Sequence, residues 1–65
     1  MLRIAGNIER IRNEKKLTQE DMEARGFSLR WFQRIESGKY SVSLPTLDHL
    51  ARKLGVDIVE LFRSL

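Results

Sequence analysis

TQEDMEARGFSLRWFQRIESGK, running from Thr18 to Lys39, holds two helix starts and two helix stops, and its reading decides the fold. Thr18 supplies a hydroxyl that can accept from exposed first-turn amides. Gln19, Glu20 and Asp21 follow, with the acids set against the positive end of the helix dipole. A helix opening there can run only to about Arg25, because Gly26 interrupts it and Ser28 offers a new N-cap. The next helix spans Leu29 to Ser37, with Phe32 and Ile35 one turn apart on its inward side and Gly38 as the residue that ends it. Two short helices joined by a glycine-containing turn form a device that presents the second helix outward, with Arg30, Gln33 and Arg34 on it.

Upstream, Ile4, Ile8, Ile11 and Lys15 recur at helical spacing among charged residues, which predicts a helix to about Lys16. Downstream, Ser43 is placed to cap a helix with Pro45 in its first turn. Leu47, Leu50, Ala51 and Leu54 fall at i, i+3, i+4 and i+7, and Gly55 closes the segment. Asp57 and Glu60 have capping-box spacing and open a last helix containing Ile58, Val59, Leu61 and Phe62. No period-two alternation competes for long. Five short helices with tight connections predict an all-α fold, a compact five-helix orthogonal bundle forming one domain over 1–65.

Composition narrows the function classes. The chain has 65 residues, so one small domain is the available size class, and domains of this length often gain stability by pairing. With no cysteine and one histidine, it has neither a thiolate nucleophile nor the ligands for a common zinc site. His49 is read as a surface imidazole. Ser28, Ser37, Ser41, Ser43 and Ser64 include no nucleophile-elbow sequence, so no enzyme, metal or cofactor is expected. Charge spread along the sequence leaves no apolar run of about 18 residues for a membrane span. The start lacks a signal-peptide core, which places the protein in the cytoplasm. Net charge is a modest +3, and Glu20, Asp21 and Glu23 lie close to the outward helix.

Arginine can pair with guanine, and glutamine with adenine, through two hydrogen bonds in the major groove, where an α-helix fits. Arg30, Gln33 and Arg34 are therefore candidate base readers. On composition alone the commoner reading is ordinary solvated residues on a surface helix, and their position in the two-helix device shifts it. Trp31 is read as a packing residue.

Three segments carry a resemblance to the Cro and phage-repressor type of helix-turn-helix domain, the Xre-like family. They are AGNIERIRNEKKLTQED, RIESGK and SLPTLDHLARKLGVDIVELF, which in order and spacing cover nearly the whole chain. The fold implied is the lambda-repressor-like DNA-binding bundle. In that family the third helix enters the major groove of double-stranded DNA, and dimers bind half-sites roughly 34 Å apart. The resemblance makes Leu29, Arg30, Gln33 and Arg34 base-facing, with Leu29 limited to a thymine methyl or the sugar wall. It assigns Gln19, Ser28, Lys39 and Tyr40 to the DNA backbone, and Arg12 with Glu36 to a buried salt bridge between the first and third helices. This chain departs from the pattern in three ways. It is one residue shorter between Leu17 and Phe32, has Glu23 at a position usually held by a small alanine, and has Val42 where the loop commonly has proline.

Ile58, Val59, Phe62 and Leu65 exceed what one helical face of a small monomer needs, which suggests a homodimer interface through the last helix. A plain core role is the alternative. The resulting expectation is a regulator that binds a partly palindromic operator as a homodimer, similar to restriction-modification controllers and phage or plasmid repressors. With the chain ending after the last helix, control is expected to come from concentration and occupancy. The competing expectation is an antitoxin or protein-interaction module, in which a protein partner is primary and DNA binding secondary.

Overall fold

In a computed structural model that describes residues 2–63, the chain forms α1 (Leu2–Glu14), α2 (Gln19–Ala24), α3 (Leu29–Glu36), α4 (Leu44–Leu54) and a closing 3₁₀ helix (Ile58–Phe62). The described residues are all-α, with no strand among them. The fifth element therefore differs from expectation in being 3₁₀ rather than α.

Local chemistry sets most boundaries. Thr18 and Asp21 form a reciprocal capping box, in which Asp21 N–H donates to Thr18 Oγ1 at 3.1 Å and Thr18 N–H donates to Asp21 Oδ2 at 2.7 Å. At the end of α1 the helix stops at Glu14, two residues short of expectation. Lys16 takes a left-handed conformation at φ +59°, and Leu17 N–H reaches back to Arg12 O at 3.0 Å while Lys16 N–H reaches Asn13 O. This is the Schellman arrangement that glycine usually provides, so the usual residue signal was missing. Ser43 has N-cap backbone angles, but its hydroxyl bonds Thr46 Oγ1 at 2.9 Å instead of capping a backbone amide.

Met22, Phe32, Leu50 and Leu61 are fully enclosed, and Ile8, Ile11, Phe27, Ile35, Leu47 and Leu54 complete the centre of the core. α1 packs against α3 and the 3₁₀ helix, α2 against α3, and α4 against the 3₁₀ helix. α2 ends early, at Ala24, and gives the core only Met22, while Glu23 and Ala24 stay exposed. The shortened turn is filled by Phe27, whose ring stacks on Trp31 at 5.2 Å between centroids. Val42, replacing the family proline, is half-buried against the core.

Asn7 joins the two ends of the described chain. Its buried side chain donates through Nδ2 to Leu61 O at 2.9 Å and to Arg63 O at 2.7 Å. These bonds engage carbonyls at and just beyond the end of the 3₁₀ helix, where no intrahelical amide follows to pair them. Asp57 caps it by accepting from Val59 N–H, whereas Glu60 turns to Arg63 at 3.1 Å rather than completing a box.

Candidate nucleic-acid interface

α3 is two-sided. Phe32 and Ile35 enter the core, whereas Arg30, Gln33 and Arg34, spaced i, i+3 and i+4, are exposed on one face. Ser28 starts this helix by accepting the Trp31 N–H at 3.0 Å, and half-buried Leu29 follows it. The donors of both outward arginines lie on a helix whose opposite side is fixed.

Glu36 fixes it further. Arg12, from α1, grips the Glu36 carboxylate with Nε at 2.7 Å and Nη2 at 3.2 Å, and its remaining nitrogen, Nη1, donates to Leu17 O at 2.7 Å. Side-chain exposures of 11% and 6% make this a sheltered pair, with each of the three guanidinium nitrogens donating one hydrogen bond. The hydrogen bond to Glu36 raises the Arg12 pKa above its ordinary value against the opposing effect of burial.

The same carboxylate orients α2. Gln19 Nε2 donates to Glu36 Oε1 at 3.0 Å, an assignment forced by a partner that can only accept. Gln19 Oε1 then faces Gln33 Nε2 at 3.4 Å, a long hydrogen bond. One chain of polar contacts thus runs from α1 through α3 and α2 to the exposed face of α3, and Gln33 keeps its own carbonyl oxygen for an external partner.

Around this frame, Lys39 and Tyr40 are exposed in the loop after α3. The Tyr40 ring lies 5.5 Å from Arg34 Cζ, a cation–π contact that residue spacing did not show. Trp31 is half-buried on Phe27, as a packing residue, and the exposed His49 approaches the same ring at 5.4 Å. No group of His, Cys, Asp and Glu that could hold a metal ion occurs among the described residues. No helix among them is long and apolar enough to cross a membrane.

The helix-turn-helix domain family matches residues 3–63. A Sinorhizobium fredii protein, named as the uncharacterized HTH-type transcriptional regulator y4dJ, is 46% identical over 59 residues, covering 89% of this chain and 77% of that protein. The chain belongs to the helix-turn-helix domain family. No solved structure matches it. Membership agrees with the Xre-like resemblance carried by its motifs.

The residues read as an interface between copies divide in this helix-turn-helix domain. Val59 and Phe62 are exposed, at 59% and 43%, while Ile58 is half-buried and packs on the core. Leu65 lies outside the described residues. Leu44, which sequence reasoning passed over, is 60% exposed at the start of α4.

The capping box that positions Gln19 has a pH signature. Hydrogen bonds from the Thr18 backbone, then from its side chain, hold the Asp21 pKa below its ordinary 3.8. A pKa lowered on folding contributes stability above the ordinary value and loses it as pH falls through the folded one. The melting difference between the unaltered chain and Asp21→Ala is thus expected to be present at pH 7 and to shrink steadily as pH falls below 3.8. A difference independent of pH across this window overturns the assignment.

Proposed function

We propose that the chain is a sequence-specific DNA-binding transcriptional regulator acting in the cytoplasm, with α3 in the major groove of a partly palindromic operator. The observation that carries this is the exposure of Arg30, Gln33 and Arg34 on one face of a helix held from behind by Phe32, Ile35 and the Arg12–Glu36 pair. Each good bidentate side chain–base pair contributes about 1–3 kcal/mol of discrimination. Gln19, Ser28 and Lys39 flank that face and meet phosphates, which sets register without reading sequence. The naming of the S. fredii relative as a transcriptional regulator supports the reading.

The regulator acts as a homodimer of lambda-repressor-like domains, paired through the 3₁₀ helix with Val59 and Phe62 at the contact. Their exposure supports this, and pairing places two α3 helices roughly 34 Å apart on successive major grooves.

The test is fluorescence anisotropy with duplex DNA from upstream of the protein's own gene and a scrambled control, at several salt concentrations. Sedimentation of the same sample accompanies it. Binding at least about a thousand-fold tighter to the first duplex is expected, with a salt slope that counts the phosphates engaged. Equal binding to both duplexes speaks against operator reading there, and a monomer at high micromolar concentration removes the dimer.

A further inference from the structure

The chain reverses direction immediately after α3. Ser37 Oγ donates to Arg34 O and accepts the Lys39 N–H at 3.3 Å, and Gly38, left-handed at φ +75°, donates its N–H to Ile35 O at 3.1 Å. The Ser37 hydroxyl thus ties the Arg34 carbonyl to the outgoing loop across the one residue whose backbone angle favours glycine. This fold-back sets the Tyr40 ring 5.5 Å from the Arg34 guanidinium carbon, although six positions of sequence separate them. Tyr40 is 49% exposed, so enclosure in the core does not dictate where its ring goes.

A guanidinium lying on an aromatic face uses its face for the contact and keeps its N–H donors at the rim. Arg34 makes no ion pair among the described residues, so those donors are not spent on a carboxylate. The contact narrows the rotamers of a long side chain while leaving free the fork that matches guanine O6 and N7.

We propose that Tyr40 is a positioning residue for sequence reading, a platform that aims Arg34 at a guanine. This gives Tyr40 a role other than the phosphate contact the family resemblance implies. It rests on the proposal that α3 lies in the major groove.

The experiment uses the full chain and duplexes it selects from a randomised pool, followed by affinities for single-base variants of the selected duplex and for a scrambled one. Arg34→Ala identifies the base pair at which preference flattens. Tyr40→Ala is expected to reduce discrimination at that same pair by about two- to five-fold, the range of an exposed cation–π contact. Its melting temperature, scrambled-duplex affinity and salt slope stay as in the unaltered chain. Tyr40→Phe keeps full discrimination, because the ring face remains. In an Arg34→Ala background, Tyr40→Ala has no further effect, which is the coupling a platform requires.

Uniform weakening on every duplex, with the salt slope unchanged because a neutral phenol displaces no counterion, makes Tyr40 a phosphate contact and overturns the proposal. An effect of Tyr40→Ala that persists without Arg34, or a Tyr40→Phe variant that behaves like Tyr40→Ala, also overturns it. Failure of the unaltered chain to select any duplex overturns the groove-reading proposal and this one together. That outcome is distinct, because it appears before any variant is made.

Discussion

Arg12→Ala is expected to lower the thermal midpoint by about 15 °C or more. Losing one partner of a buried, hydrogen-bonded ion pair costs about 3–5 kcal/mol, because the stranded charge keeps its desolvation penalty. For a domain of this size each kcal/mol shifts the midpoint by about 4–8 °C. The geometry places this pair in that class. Glu36 is 6% exposed in its side chain, takes two hydrogen bonds from Arg12, and without them retains only the Gln19 amide. The Leu17 carbonyl, in the connection between α1 and α2, loses its 2.7 Å donor as well. Total stability for 65 residues is about 3–10 kcal/mol, so a substantial unfolded fraction is expected at 37 °C.

A companion variant distinguishes stranded charge from lost packing. Arg12→Met combined with Glu36→Leu removes both charges and is expected to melt above either single substitution. Circular dichroism melts of the four proteins make the comparison. An Arg12→Ala midpoint within about 2 °C of the unaltered chain is incompatible with a sheltered pair.

Helix positions were legible where a single residue type marks them. Thr18, Ser28, Gly26, Gly38 and Gly55 fall at the starts and stops of their helices, and the outward face of Arg30, Gln33 and Arg34 follows from the inward spacing of Phe32 and Ile35. Signals failed where another residue does the same work. Lys16 adopts the left-handed stop of α1 without being glycine, so the helix was read two residues too long. The tie between the last element and α1 depends on Asn7, 54 positions from Leu61, and no local pattern carries a bond of that separation.

In the candidate site, periodicity identifies which side chains point outward but not what each one touches. Gln33 pointing back to Gln19, and Arg34 lying over Tyr40, depend on the Glu36 carboxylate that holds Gln19 and on the loop that follows the same helix. The proximity of Arg12 and Glu36 was an implication of family resemblance, because 24 positions of separation contain no signal of contact. Val59 and Phe62 show the reverse limit. Their apolar excess is visible in the sequence, but which of the four apolar residues faces the core is decided by how Leu61 enters it.

Asn7→Ala is expected to cost about 2–4 kcal/mol and to loosen the last element first. The substitution removes two hydrogen bonds; the buried Leu61 carbonyl left unsatisfied costs about 1–3 kcal/mol, while the carbonyl of exposed Arg63 can turn to water and loses about 0.5–1.5 kcal/mol. One gain offsets part of this, since Asn7 Oδ1 is buried without a hydrogen-bond partner and disappears too. Asn7→Asp is expected to be worse at pH 7. It keeps the shape but turns a donor toward two carbonyl oxygens into a carboxylate oxygen, and it buries a charge at a fully enclosed position. Because burial raises the pKa of such a carboxyl, the penalty shrinks as pH falls and the group protonates, restoring one donor. Denaturant unfolding at pH 7 and pH 4.5 measures both costs, and amide exchange localises them. Faster exchange confined to Ile58–Phe62, with α2 and α3 unchanged, is the expected pattern for a tie between α1 and the chain's end. Stability within about 0.5 kcal/mol of the unaltered chain for Asn7→Ala is incompatible with that tie. The proposed dimer gives the same variant a second readout, because Val59 and Phe62 sit on the element that Asn7 holds. If pairing runs through that turn, Asn7→Ala weakens self-association along with folding. A variant that loses stability yet dimerises as tightly as before places the interface elsewhere, with the exposed Leu44 at the start of α4 as the next surface to alter.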